Sequence, residues 1–161
     1  MSTVWGALAG GVVGTVVLTS GLRLSQELGL TRMDIPLLLG TIFTERRGPA
    51  SVIGYVVHFA NGLIFSLIYA AVFLATDHAG WLFGLGLGAV HAAFAGGGLV
   101  TILLPAIHPR MGSSWSDARE TPLLEPPGFM LFNYGRRTAI VTLAMHLAYG
   151  TIVGGFAAGL G

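Results

Sequence analysis

Four stretches of this chain, residues 4–22, 48–76, 79–107 and 138–161, contain no Asp, Glu, Lys or Arg. Each is about as long as the ~20 residues a helix needs to cross ~30 Å of hydrocarbon. A helix facing water needs a polar side, and these segments offer none. Only 9% of the 161 residues are charged, against about a quarter in a soluble globular protein. The sequence therefore predicts a single all-α transmembrane domain over residues 1–161, an integral-membrane four-helix bundle in up-down order.

The charges that remain carry the topology. All eight basic residues are Arg, and they fall in two segments: Arg23, Arg32, Arg46 and Arg47 between spans one and two, then Arg110, Arg119, Arg136 and Arg137 between spans three and four. The positive-inside rule makes both loops cytoplasmic and puts both termini and the short "TDHAG" connection outside. The expected location is the plasma (inner) membrane. These arginines flank helix ends, where anchoring at lipid headgroups is their ordinary use, so the partner they imply is the bilayer rather than nucleic acid. The start "MSTVWGALAG" has no basic n-region, and its apolar run meets Arg23 rather than a small-residue cleavage site, so the first span reads as a permanent helix. Cysteine is absent, which excludes disulfides, thiolate metal sites and covalent haem attachment.

The two arginine loops resemble each other beyond their charge. "MDIPLLLGTIFTERRG" and "ETPLLEPPGFMLFNYGRR" share an acidic residue two before Pro, a Leu-Leu pair, a Gly, an aromatic residue and paired arginines. Each is followed by a span with a histidine in the same setting, "VVHFANGLIF" and "LAMHLAYGTI". The pattern reads as a duplicated two-helix unit, residues 1 to about 76 and about 79 to 161. Two spans per unit give both copies one orientation, related by a pseudo-twofold along the membrane normal. Asp34 and Glu120 take matching positions as helix caps or interfacial anchors, and the apolar, Pro-interrupted pieces beside them are too short to cross. Glycines at fourth-residue spacing, Gly6-Gly10-Gly14, Gly84-Gly88 and Gly150-Gly154, predict close helix contacts.

Counting from the arginines places His58 and His146 roughly 13 to 17 Å deep, and His91 reaches a similar level from the other side. In an up-down ring the second and fourth helices lie diagonally, so His58 and His146 are expected to face each other through the centre. Asn61 and Gly62 share the face of His58, and Tyr149 and Gly150 that of His146. His78 and His108 sit at helix ends, where capping accounts for them.

Three readings stay open. Each neutral imidazole forms one interhelical hydrogen bond, with Asn61 or Tyr149 as partner, in an accessory or structural subunit. Alternatively His58 and His146 ligate a b-type haem, or His58, His91 and His146 a transition metal, with the protein serving electron transfer or an adjoining redox complex. In outline this layout resembles the bis-histidine four-helix cytochrome b type, whose ligands come in two pairs where this chain has one; chlorophyll ligation by "GYVVH" is a further option. The third reading is a small proton-linked transporter with the histidines along its path. The chain is expected to act as a homo-oligomer or within a larger membrane complex. No Ser-His-Asp grouping or His-Glu-x-x-His run points to catalysis of its own.

Overall fold

In lipid every backbone N–H and C=O must find its partner within the chain, and uninterrupted apolar sequence does so as helix. The computed structural model describes residues 2–112 and 123–159; Arg119, Glu120 and Pro122 of the second loop motif lie outside the described residues. It holds α1 (Ser2–Glu27), α2 (Ile35–Gly40), α3 (Arg47–Thr76), α4 (Trp81–Ala92), a π-helical stretch (Ala93–Leu103), α5 (Leu104–Ile107), a 3-10 turn (Phe129–Tyr134) and α6 (Thr138–Gly159). Four helices are long and apolar enough to cross a membrane: Thr3–Glu27, Arg47–Thr76, Trp81–Ile107 and Thr138–Gly159. Among the described residues the fold is all-α, with one isolated bridge, Met111 to Leu124, in place of any strand. This is the multi-pass bundle expected from the charge-free segments.

Local signals set the boundaries. Asp34 caps α2, its carboxylate accepting from the Leu37 N–H at 3.0 Å, and Pro36 occupies the first turn, where a missing N–H costs nothing. The second span stops at Asp77, which adopts φ 53° and returns its N–H to the Phe73 carbonyl.

Glycine decides which spans touch. The fourth span is the centre, packed on the first along one side and on the third along the other. A Cβ on Gly6 would stand 2.5 Å from the Phe156 carbonyl oxygen, and one on Gly10 2.9 Å from Val153 Cα. On the opposite face, Cβ atoms on Gly84, Gly150 and Gly154 would collide with the carbonyls of Gly150, Gly84 and Gly80. The first span also packs on the second, where Gly11 meets Ser66 and Gly62 meets the Thr15 side chain. The small-residue spacings therefore build two backbone-close seams, span one on span four and span four on span three, and a third between spans one and two where glycines meet small side chains.

Spans two and three, which would complete the ring, have no comparable backbone seam. Large rings hold them apart: Phe65 and Phe73 on the second span lie against His91, Phe94 and Phe83 on the third. The arrangement thus departs from the twofold expected of a duplicated pair. The seam between spans one and four has four glycines, Gly6, Gly10, Gly14 and Gly21, whereas the seam that symmetry would match to it has aromatic side chains.

The two arginine loops close one end of the bundle. Arg32 donates its backbone N–H to the Tyr134 carbonyl at 2.7 Å and pairs with Glu125 at 3.2 Å, and Thr31 and Thr138 share a buried hydroxyl contact of 2.8 Å. Close approach fastens α2 to the second span, where added Cβ atoms on Gly40 and Gly54 would strike the Ala50 and Pro36 carbonyls. Burial and the Glu125 charge push the Tyr134 hydroxyl up to about 12, against a weaker opposing pull from Arg32, so it stays a neutral donor to the Glu125 backbone carbonyl at 2.7 Å.

Candidate functional site

The unsealed seam leaves a cavity of about 320 Å³ inside the bundle. His58, His91 and His146 all line it, from three different spans, so one chamber gathers the histidines that the sequence placed at one depth. Asn61, Gly62 and Tyr149 line it as well. Ile35, Leu39 and Ile42 from the first arginine loop and Leu131 from the second form its far end.

The geometry differs from two imidazoles facing each other across an empty centre. The close pair is His91 and His146, whose ring centroids lie 4.6 Å apart at 83°. The other face of His91 is stacked on Phe65 at 3.8 Å, and its Nδ1 lies 3.4 Å from the Tyr69 hydroxyl. His146 lies 2.8 Å by Nδ1 from the Thr142 carbonyl one turn earlier, which makes Nδ1 the protonated nitrogen and leaves Nε2 with its lone pair. His58 Nε2 is buried with no hydrogen-bond partner, and so is Thr142 Oγ1. Both of these atoms belong to residues that line the cavity.

The neighbours expected to serve the histidines have other duties. Tyr149, buried and 1% exposed, donates its hydroxyl to the Gly62 carbonyl at 2.5 Å and so ties span four to span two. Gly62 and Gly150 are packing positions, against Thr15 and Gly84, rather than gaps beside an imidazole. The partners of His91, Phe65 and Tyr69, escaped the sequence reading. The periodicity that found Asn61 and Gly62 would have reached them, since 65 and 69 continue the same face of the second span at seven and eleven residues from His58.

The third span is irregular where it forms the cavity wall. From Ala93 to Leu103 its hydrogen bonds run in the wider π pattern, and Thr101 donates its hydroxyl to the Gly96 carbonyl, five residues back, at 2.6 Å. Long π-helical runs are rare and concentrate at functional sites. Gly96 to Gly98 was the available signal: three residues without side chains to hold a regular α register.

Two outlying histidines complete the set. His78 is exposed beyond the second span, with Nδ1 2.9 Å from the Thr76 carbonyl. His108 is buried at the end of the third span, where Nε2 lies 3.1 Å from the Leu38 carbonyl and Nδ1 accepts from the Arg110 N–H at 3.1 Å. It therefore locks α2 to span three.

Among the described residues no group of three or more His, Cys, Asp or Glu side chains is arranged to hold a metal ion. No family model, curated protein or solved structure matches this chain.

Proposed function

We propose that this is a non-catalytic membrane subunit that holds a neutral, membrane-borne molecule in the histidine-lined cavity, in service of an adjoining redox complex or as a homo-oligomer. The supporting observation is a mostly apolar cavity of about 320 Å³ on which His58, His91 and His146 converge from three different spans. A largely apolar pocket with a few convergent polar groups is the usual form of a small-molecule site. In this reading the protein lies in the plasma membrane with its arginine loops cytoplasmic.

Transport fits the cavity less well. The chamber ends at His91 and Tyr149, and beyond them Tyr69 packs edge-on to Tyr149 and Phe73 at centroid distances of 5.7 and 6.1 Å. A path to both faces would need those rings displaced.

A b-type haem between His58 and His146 is the second reading. The His146 bond to the Thr142 carbonyl favours it, because ligating histidines orient themselves by such a bond from the other ring nitrogen. It ranks below the first because haem carries two propionates, and among the described residues no Arg or Lys lines the cavity to meet them.

The test uses the intact protein purified in mild detergent. Solvent extraction and mass spectrometry should recover a neutral lipophilic molecule near one per chain. It should be absent from Gly96→Leu, whose side chain would extend toward Leu131 and Thr142 and fill the cavity. A Soret band that vanishes in both His58→Ala and His146→Ala would assign the site to haem instead. Neither ligand nor band would reduce the histidines to helix contacts.

A further inference from the structure

The cavity has a closed back and an open side. Every residue that spans one and four give to its wall is buried, Leu18 and Leu22 at 4% and 5% exposure among them. The partly exposed lining belongs to spans two and three and to Leu39 and Ile42 of the first arginine loop, with Leu103 and Ile107 at 47% and 58%. The opening therefore lies between spans two and three, the pair without a backbone seam. A ligand reaches it sideways, through lipid.

The open side makes the cavity a groove, long and narrow. Ala95, Leu99, Leu103 and Ile107 recur at every fourth position down the third span, which spreads the lining over roughly 18 Å at the α-helical rise. A cavity of about 150 Å³ takes a benzene ring; about 320 Å³ drawn out over that length is one hydrocarbon chain wide. The polar residues along it spend their polar atoms on the protein. The Tyr149 hydroxyl donates to the Gly62 carbonyl, the Thr15 hydroxyl to the Gly11 carbonyl and His146 Nδ1 to the Thr142 carbonyl. His58 Nε2 and Thr142 Oγ1 are covered by their surroundings. The walls thus present mainly carbon, which suits a chain.

At the arginine end the groove stops beside a cation. The Arg110 guanidinium donates to the Thr41 carbonyl at 2.6 Å and the Ile42 carbonyl at 3.4 Å, and Ile42 and Ile107 both line the groove. Guanidinium meets phosphate oxygens with a fork of N–H donors. Building on the ligand-binding reading above, we propose that the groove holds one acyl chain of a zwitterionic, net-neutral phospholipid from the leaflet at the arginine end, with its phosphate beside Arg110. The chain enters between spans two and three and runs inward past Leu103 and Leu99, and the head never leaves the interface.

The experiment places the purified wild-type protein in bilayers of a zwitterionic phospholipid doped with photoreactive versions of it. One carries a diazirine near the methyl end of a chain and the other near the ester; after irradiation the adducts are mapped by mass spectrometry of peptides. Lipid that only surrounds the protein can reach Val12 and Val16, 45% and 48% exposed on span one. It cannot reach Leu18, which lies on the buried side of that span, roughly 14 Å from its Glu27 end. The methyl-end probe should mark Leu18, and the ester-end probe should not. Gly96→Leu should lose the Leu18 adduct and keep those on Val12 and Val16. Leu18 unmarked by either probe in the wild type would overturn the phospholipid assignment. Recovery of another neutral molecule by solvent extraction of that sample would then leave the ligand site standing, and recovery of none would remove both. Leu18 marked by the ester-end probe would overturn the placement of the head beside Arg110. The wild-type maps decide the matter even if the variant fails to fold.

Discussion

Thr142 uses its two polar groups differently. Its carbonyl accepts from His146 and fixes that tautomer, while its hydroxyl is buried without a partner. Ser and Thr in helices commonly return the hydroxyl to a carbonyl one turn earlier, as Thr15, Thr19 and Ser25 do on the first span at 2.7, 2.6 and 2.8 Å. The contrast marks Thr142 as set aside from that local bond. His108 shows the complementary case, with both ring nitrogens committed in one neutral tautomer. Burial lowers its pKa from 6.5, the Leu38 carbonyl opposes the shift, and the Arg110 charge adds to it. With the folded value below the unfolded one, the unfolded chain takes up the proton first. Stability that is complete above pH 6.5 should therefore decline as the pH falls below it. Protection of the α2 amides, taken relative to their intrinsic exchange rate at each pH, should fall as the pH drops below 6.5 in the wild type. His108→Gln, which keeps a donor for the Leu38 carbonyl, should flatten that dependence, and an unchanged slope would remove His108 as its source. In the sequence, the depth of the three central histidines was legible because arginines mark the interface and helix rise is constant. The face that carries Phe65 and Tyr69 was legible by the same helical period, but its pairing with His91 was not, because Tyr69 reaches His91 across 22 positions that only packing brings together.

At the scale of elements, the glycine spacings were readable in the sequence, and the structure says which faces they serve. Gly150 lies with its Cα against Gly84, whereas Gly97 has nothing within 4 Å of an added Cβ. Gly150→Ala should therefore push span three off span four and cost about 1–3 kcal/mol. Gly97→Ala should be neutral or stabilise by about 0.5–1 kcal/mol through helix propensity. Reversible unfolding in mixed detergent separates the two, and equal effects would show that the seam is not backbone-close. The π-helical stretch was illegible beforehand because hydrophobic periodicity averages over a wall that is apolar all round. An i+5 register leaves no trace in such a composition. Its strained counterpart in the second loop, Leu131 at φ 64°, was equally hidden, although that buried side chain closes one end of the cavity.

For the whole molecule, the absence of cysteine makes topology directly measurable. Glu45 lies exposed at the arginine end, and His78 lies exposed at the other. In intact cells an impermeant maleimide should label His78→Cys at once and Glu45→Cys only after permeabilisation; the reverse pattern would invert the orientation. Four spans and all-α class followed from charge-free length alone. The open seam did not, because a duplication predicts equivalent contacts. That one of these seams holds glycines and the other aromatic rings becomes visible only once the spans are packed.

The order of the seams also bears on synthesis. Spans one and two can join as soon as both are in the membrane, but span three has its backbone seam with span four and none with the spans made before it. During translation it can hold to them only through side chains, the aromatic rings facing span two and His108 against α2, with the π-helical wall of the future cavity facing lipid. The helix made last is the keystone, and until it arrives the histidine-lined cavity has no fourth side. A chain stalled before residue 138 would thus hold one helical hairpin and a third span without its backbone seam, a form that membrane quality control can recognise by that loosely held span.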